Sequence, residues 1–290
     1  MSEPLTDERA GGAAGAAQGH RFVFVGGLHR SGTSMLARHI AAHPDVSGFS
    51  GTGVPQDEGA HLQSVYPDPA NYGKTGRFGF QPEARLTERS PLVSDESRER
   101  LFAEWARHWD LSRPVLLEKS PPNLVKLRFL QAVFPDSSFV VIMRHPIPVS
   151  CATQKWNRMK PHQLVRHWLR CHDLLARDVP HLRRLHVVRY EDLVAHPEPV
   201  LERLFGFLRL DGAALPPPPQ PVRGGINDHY FGRWELRKRH PAKRVYLALV
   251  ENGYEHHLPR FGYSLREPER LREPSVVLPG LTRPRSGGAS

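Results

Sequence analysis

The sequence predicts an α/β fold: a P-loop-like three-layer sandwich with a mostly parallel central sheet flanked by helices. Three observations predict it. Short runs rich in Val, Ile and Phe alternate with helical patterns four times along the chain. The first run feeds a glycine turn that opens into a helix. Arg30, Lys119, Arg144 and Tyr190 fall at the ends of those runs, where a parallel sheet gathers its ligand-binding groups.

The 290 residues divide into an N-terminal tail over 1–20, one domain over 21–265 and a Pro/Gly/Arg-rich C-terminal tail over 266–290. The first tail is rich in Ala and Gly and lacks the apolar core of a signal peptide. Residues 22–25, Phe-Val-Phe-Val, read as a buried strand, 26–32 as a turn and 34–43 as a helix. Residues 48–85 are irregular and rich in Gly, Pro and Asp, as in a binding loop or lid. An amphipathic helix follows over 95–110, with Leu101, Trp105 and Trp109 spaced four apart on its core face. Strands are expected at 115–117, 139–143 and 185–189, and helices at 123–134, 149–155, 164–176 and 199–208. The last of these helices carries the stripe Val200, Leu201, Leu204, Phe205 and Leu208. A proline-rich break at 216–221 precedes a terminal helical region over 236–252, interrupted near Pro241. From 266 onward the composition reads as loosely held chain.

Composition narrows the function classes. Two cysteines, Cys151 and Cys171, exclude a disulfide scaffold and favour a reducing, cytoplasmic setting. No run approaches the ~20 apolar residues of a membrane span, so no transmembrane segment is expected. No Cys/His spacing matches a structural zinc site, and no metal is expected. A net charge of +10, from 40 basic and 30 acidic residues, suits an anionic ligand. A basic nucleic-acid-binding protein is one reading of it, helped by the cluster Arg237-Lys238-Arg239-His240. No recognised nucleic-acid motif accompanies that cluster, so no nucleic-acid partner is expected.

The glycine turn is more specific. A strand, a glycine turn and a helix N-terminus make an anion site. Gly27 and Gly32 have the spacing of the Gly-x-x-x-x-Gly-Lys-Ser/Thr nucleotide loop, but Thr33 stands where the lysine belongs. A P-loop kinase or NTPase would therefore lack its contact to the β/γ-phosphates. Arg30 supplies a cation inside the turn instead.

Four stretches, taken together and in order, carry a resemblance: Phe24-Val-Gly-Gly-Leu-His-Arg-Ser-Gly-Thr-Ser34, Leu117-Glu-Lys-Ser-Pro121, Phe134-Pro-Asp-Ser-Ser-Phe-Val-Val-Ile-Met-Arg-His-Pro146 and Val188-Arg-Tyr-Glu-Asp-Leu-Val194. They resemble the sulfotransferases that use 3'-phosphoadenosine 5'-phosphosulfate (PAPS), in the manner of a bacterial member near the protein-tyrosine and carbohydrate branches. The resemblance implies in-line transfer of a sulfuryl group to a hydroxyl, less readily to an amine, leaving adenosine 3',5'-bisphosphate (PAP), with no metal required. It gives Arg30, Ser31, Gly32, Thr33 and Ser34 to the 5'-phosphosulfate and Arg144 to the 3'-phosphate. The family's serine eight residues after that arginine is Ala152 here, with Ser150 and Thr153 as nearby substitutes. A catalytically silent PAPS/PAP-binding member is the reading this departure leaves open. Tyr190 falls beside the adenine, and Arg223 with its glycines resembles a segment that closes over the 3'-phosphate.

For catalysis, Arg30 and Lys119 are placed to absorb charge on the leaving phosphate oxygen. The resemblance places the base in the segment after the first helix, where Glu58 ranks ahead of His61 on its likeness to the family's glutamate-using branches. Three residues apart, the two would share a face on a helical turn. A small secondary metabolite is the favoured acceptor, ahead of a glycan or a peptide tyrosine. The sequence assigns no oligomeric state.

Overall fold

A computed structural model describes residues 19–73, 75–211 and 225–281. Five strands form one sheet: β1 (Arg21–Gly27), β2 (Val46–Gly48), β3 (Val115–Lys119), β4 (Ser138–Met143) and β5 (Leu185–Arg189). Their order is β2-β3-β1-β4-β5, and every pairing is parallel. The register sets Val25 beside Lys119, Gly27 beside Ile142 and Met143 beside Arg189. All five strands therefore end along one edge. Successive connections leave β1 toward β3 on one side and β4 on the other, which opens a crevice beyond its end.

The strands are buried on both faces, as continuous apolar runs in a covered parallel sheet should be. Phe22, Phe24, Leu116, Phe139 and Val141 face one layer, and Val23, Val25, Leu117, Val140 and Ile142 face the other. The second layer contains α1 (Thr33–Ala41), α6 (Tyr190–Ala195) and α7 (Pro197–Leu208). The first contains α2 (Asp95–Ala106), α3 (Leu127–Val133) and α5 (Pro161–Asp178). Ser94 caps α2, its hydroxyl accepting from the amide of Ser97 at 3.1 Å. Trp105 and Trp109 are core residues, as expected.

Several elements depart from the sequence reading. The three-residue strand β2 was not expected; it is too short for a periodic signal and exists through pairing with β3. The helix expected over 123–134 begins only at Leu127, because Pro121 and Pro122 set a tight 3-10 turn through Val125 first. The next helix, α4 (Pro146–Thr153), starts three residues earlier than expected. Pro146 takes its first position, where a missing N–H costs nothing, and His145 Nδ1 caps the amide of Ile147. The terminal helical region is two helices, α8 (Ile226–Lys238) and α9 (Pro241–Tyr254), parted at Pro241. Residues 266–281, read from composition as loosely held, return to the sheet: Leu278 is fully buried and the amide of Val187 in β5 donates to the Pro279 carbonyl. The open edge of β5 supplies the unpaired amide that makes this docking favourable.

Candidate active site

The edge where the strands end carries two adjoining clefts. The first, of about 350 Å³, is lined by Arg30, Gly32, Thr33, Ser34, Arg38, Arg144 and Tyr190, with Glu58, Gln56, Trp156, His29 and Ile226 at its borders. The second, of about 380 Å³, is lined by Glu58 and His61 and walled by Pro55, Pro69, Tyr72, Phe78 and Pro122. His29, Gln56, Glu58 and Trp156 line both, so the clefts meet at those four side chains.

The first cleft is built on the glycine turn. Gly32 has φ 105°, and a Cβ there would lie 3.0 Å from the Tyr190 ring. Its bare backbone lets α1 begin directly beneath the cleft, with Thr33 and Ser34 in the first turn. Arg30 also takes a left-handed conformation, φ 70°. That conformation accompanies a division of labour: the Arg30 carbonyl accepts from Arg144 Nη1 at 2.9 Å, while its guanidinium stacks on the half-exposed Trp156 ring at 4.6 Å.

Arg144 is fixed from every side. Its Nε and Nη2 donate to Asn227 Oδ1 at 2.9 and 2.7 Å, and its guanidinium lies 4.0 Å from the centre of the Tyr190 ring. Asn227 Nδ2 donates in turn to Glu191 Oε1, which also accepts from the His145 amide. Tyr263 OH donates to the other Glu191 oxygen. Burial holds the Glu191 carboxyl above the usual carboxylate range and Arg144 below the usual guanidinium value.

Glu58 and His61 sit at the mouth of the second cleft on a turn tied down from behind. Trp105 Nε1 donates to the Gly59 carbonyl at 2.9 Å, and the Ala60 amide donates to Ser120 Oγ at 2.9 Å. Ser120 Oγ donates to the buried Glu118 carboxylate, which also accepts from Asn123 Nδ2. Glu58 and His61 do share a face, with 3.9 Å between Oε2 and Nε2. Burial raises the Glu58 carboxyl above its ordinary value, against the lowering pull of Lys119 and His61. His61 Nδ1 donates to Asp68 at 2.9 Å, which turns Nε2 toward Glu58.

Four of the expected site residues do not sit as expected. Lys119 does not line either cleft: it donates to the Gln56 carbonyl at 2.7 Å and approaches Glu58 at 3.4 Å, facing a third recess behind the 55–57 turn. The last residue of β3 is aimed into that turn, so it acts on the site through Glu58 and Gln56. Ser31 is consumed within the glycine turn, its hydroxyl donating to the Leu28 carbonyl at 2.6 Å and its amide to the same oxygen. Ser150 and Thr153 are buried inside α4 and line neither cleft. Arg223 lies outside the described residues.

The sequence reading missed Arg38, Asp68, Trp156, Asn227 and His29. Arg38 is one helical turn beyond Ser34 and was legible as its i+4 neighbour. Asp68 lies in loop sequence with no periodic signal, and Asn227 in the first turn of α8, ahead of the helical region expected over 236–252. Among the described residues no group of three or more His, Cys, Asp or Glu converges as metal ligands, and no helix is long and apolar enough to cross a membrane.

Residues 23–213 match the model of the sulfotransferase family. Among solved structures, a Mycobacterium tuberculosis sulfotransferase is similar at 16% identity and a TM-score of 0.45, over 77% of this chain and 74% of that one. A sulfotransferase from Alicyclobacillus acidocaldarius is similar at 16% identity and 0.44, over 72% and 89%. A mouse sulfotransferase in complex with PAP is similar at 13% identity and 0.37, over 79% and 72%.

Proposed function

The chain belongs to the sulfotransferase family, and from that premise we propose that it transfers a sulfuryl group from PAPS to a hydroxyl of a small-molecule acceptor. The observation that carries the reading is the meeting of a cationic cleft and an apolar one at Glu58.

The residues present fit the donor. Arg30, Arg38 and Arg144 supply three cations around the first cleft, and the start of α1 supplies free amides with the hydroxyls of Thr33 and Ser34. Tyr190, Trp156 and Ile226 offer the flat apolar surface an adenine needs. When bound, the donor supplies the sulfuryl group: the acceptor oxygen bonds to sulfur as the bond from sulfur to the 5'-phosphate oxygen breaks, the electron pair leaves with that phosphate oxygen, and the acceptor proton passes to a side chain.

Glu58 takes that proton. It borders both clefts, and a carboxyl raised toward the working pH is a better base than an ordinary one. His61, oriented by Asp68, stands 3.9 Å away to share the proton onward. Lys119 holds Glu58 in place and offsets its charge. Arg30 and the helix start neutralise charge gathering at the phosphate. Pro55, Pro69, Tyr72, Phe78 and Pro122 exclude water from the acceptor side.

The test is mass spectrometry of an acceptor panel incubated with PAPS. Wild type adds one sulfuryl group to at least one hydroxyl acceptor, and Glu58→Gln lowers that rate by about 10²-fold or more while still being stabilised in melting by PAP and not by ATP. Sulfuryl transfer at the wild-type rate by Glu58→Gln removes Glu58 as base. Stabilisation by ATP and not PAP removes the donor assignment.

A further inference from the structure

We propose that His29 is a further catalytic residue: its Nε2–H meets an oxygen of the sulfuryl group at the seam where the two clefts join. The inference rests on the donor reading above.

His29 immediately precedes Arg30 in the glycine turn and lines both clefts. Its Nδ1 is buried without a hydrogen-bond partner, and among the described residues none is seen to bond to either ring nitrogen. A buried N–H left unpaired is rarer and costlier than a buried lone pair left unpaired. The proton therefore belongs on Nε2, the nitrogen that meets the clefts, and the ring offers the seam a donor. The other seam residues are committed elsewhere. The Gln56 carbonyl accepts from Lys119, Glu58 lies between Lys119 and His61, and the Trp156 ring carries Arg30. The Phe78 ring, 5.7 Å from the imidazole, backs it on the acceptor side.

The charges around His29 keep the ring in this role. Burial, then Lys119, then His61 hold it down to about 4, so it is a neutral donor at working pH. Burial puts the neighbouring His167 lower still, at about 3, so it too is neutral. An unpaired donor open to two clefts, one of them lined by Arg30 and Arg38, is a site for an anionic oxygen. During transfer His29 keeps its proton; the acceptor's proton goes to Glu58, and the hydrogen bond only stabilises charge on the sulfuryl oxygens.

The experiment compares PAPS with PAP, which differ only by the group His29 is said to touch. Calorimetric binding of each is measured on the full chain for wild type, His29→Ala, His29→Gln and His29→Asn. Loss of the hydrogen bond weakens PAPS about tenfold in His29→Ala and leaves PAP unchanged. Gln, whose amide nitrogen reaches the Nε2 position, recovers part of the loss, and the shorter Asn does not. Wild-type affinity of His29→Ala for PAPS overturns the role of His29 alone, as does an equal loss of both ligands, which would mark a residue that only shapes the turn. Should His29→Ala not fold, equal PAPS affinity in the Gln and Asn variants overturns it. A wild type that binds neither nucleotide overturns the donor reading itself.

Discussion

Asp68 illustrates how one side chain decides the behaviour of another. Its carboxylate accepts from His61 Nδ1 at 2.9 Å and so selects which nitrogen faces Glu58. The Asp68 side chain is 40% exposed, so water screens much of the charge and orientation is its main effect. Asp68→Asn is expected to lower kcat by about tenfold with KM nearly unchanged, the pattern of an interaction made in the transition state. Steady-state kinetics on a hydroxyl acceptor that the panel yields checks it; a change confined to KM would count against the orienting role. Glu58 sets a pH dependence of its own. Its carboxyl is raised, so the deprotonated base appears only above the ordinary glutamate range. The acid limb of kcat/KM is expected above that range, and Lys119→Met, which removes the nearest lowering charge, moves it further up. A limb that stays put in Lys119→Met argues against Glu58 as the group that titrates.

At the scale of elements, the turn over 55–61 is the piece on which function depends, and it has no regular structure to hold it. Trp105 from α2 and Ser120 from the end of β3 hold it instead. Gly59 is where the turn crosses the buried Glu118 side chain; a Cβ there would lie 2.5 Å from Glu118 Cγ. Gly59→Ala is expected to destabilise the chain by about 1–3 kcal/mol and to lower activity by displacing the turn itself, whereas Trp105→Phe removes the hydrogen bond to Gly59 and part of a fully buried ring. Denaturant melts together with PAP binding separate the two effects: PAP affinity should survive in Gly59→Ala, because the donor cleft rests on α1 and β4 rather than on this turn. Loss of PAP binding at unchanged stability would contradict that separation.

For the whole molecule, buried histidines set the acid limit. Burial holds His29, His172 and His186 down to about 4 and His145 and His167 down to about 3. Their folded values lie below the unfolded value near 6.5, so the unfolded chain binds more protons below that pH. Stability is therefore lost as pH falls from about 6.5 toward 4, by at most about 1.4 kcal/mol per pH unit for each such proton. Glu58, Glu118 and Glu191 act oppositely: burial raises each, so their contribution is full below the ordinary glutamate value and is lost as pH rises through the raised one. Five histidines outweigh three glutamates, and the melting temperature should fall steeply between pH 6 and 4. His145→Gln, which keeps an amide for the Ser264 carbonyl, should flatten that fall. A melting temperature constant across this range would refute the account.

Local chemistry made the sheet and half the site readable from the chain. Phe-Val-Phe-Val and Phe-Val-Val-Ile-Met are strands because unbroken apolar, β-branched runs suit a sheet covered on both faces, and parallel strands put Arg30, Arg144 and Tyr190 on one edge whatever the packing. Glu58 and His61 were legible through the family resemblance, and their spacing of three put them on one face of a turn. Contacts made through irregular chain or across tens of residues were beyond it. Asp68 reaches His61 through an irregular loop, Asn227 meets Arg144 from 83 residues away, and Val187 pairs with Pro279 at the sheet edge. Direction was beyond it too. Lys119 follows the pleat of β3 toward Gln56, Ser31 closes its own turn, and Ser150 is buried within α4. Spacing along a chain fixes which residues share an edge, but where a side chain points is set by the neighbours that compete for its hydrogen bonds, and only packing brings those neighbours in.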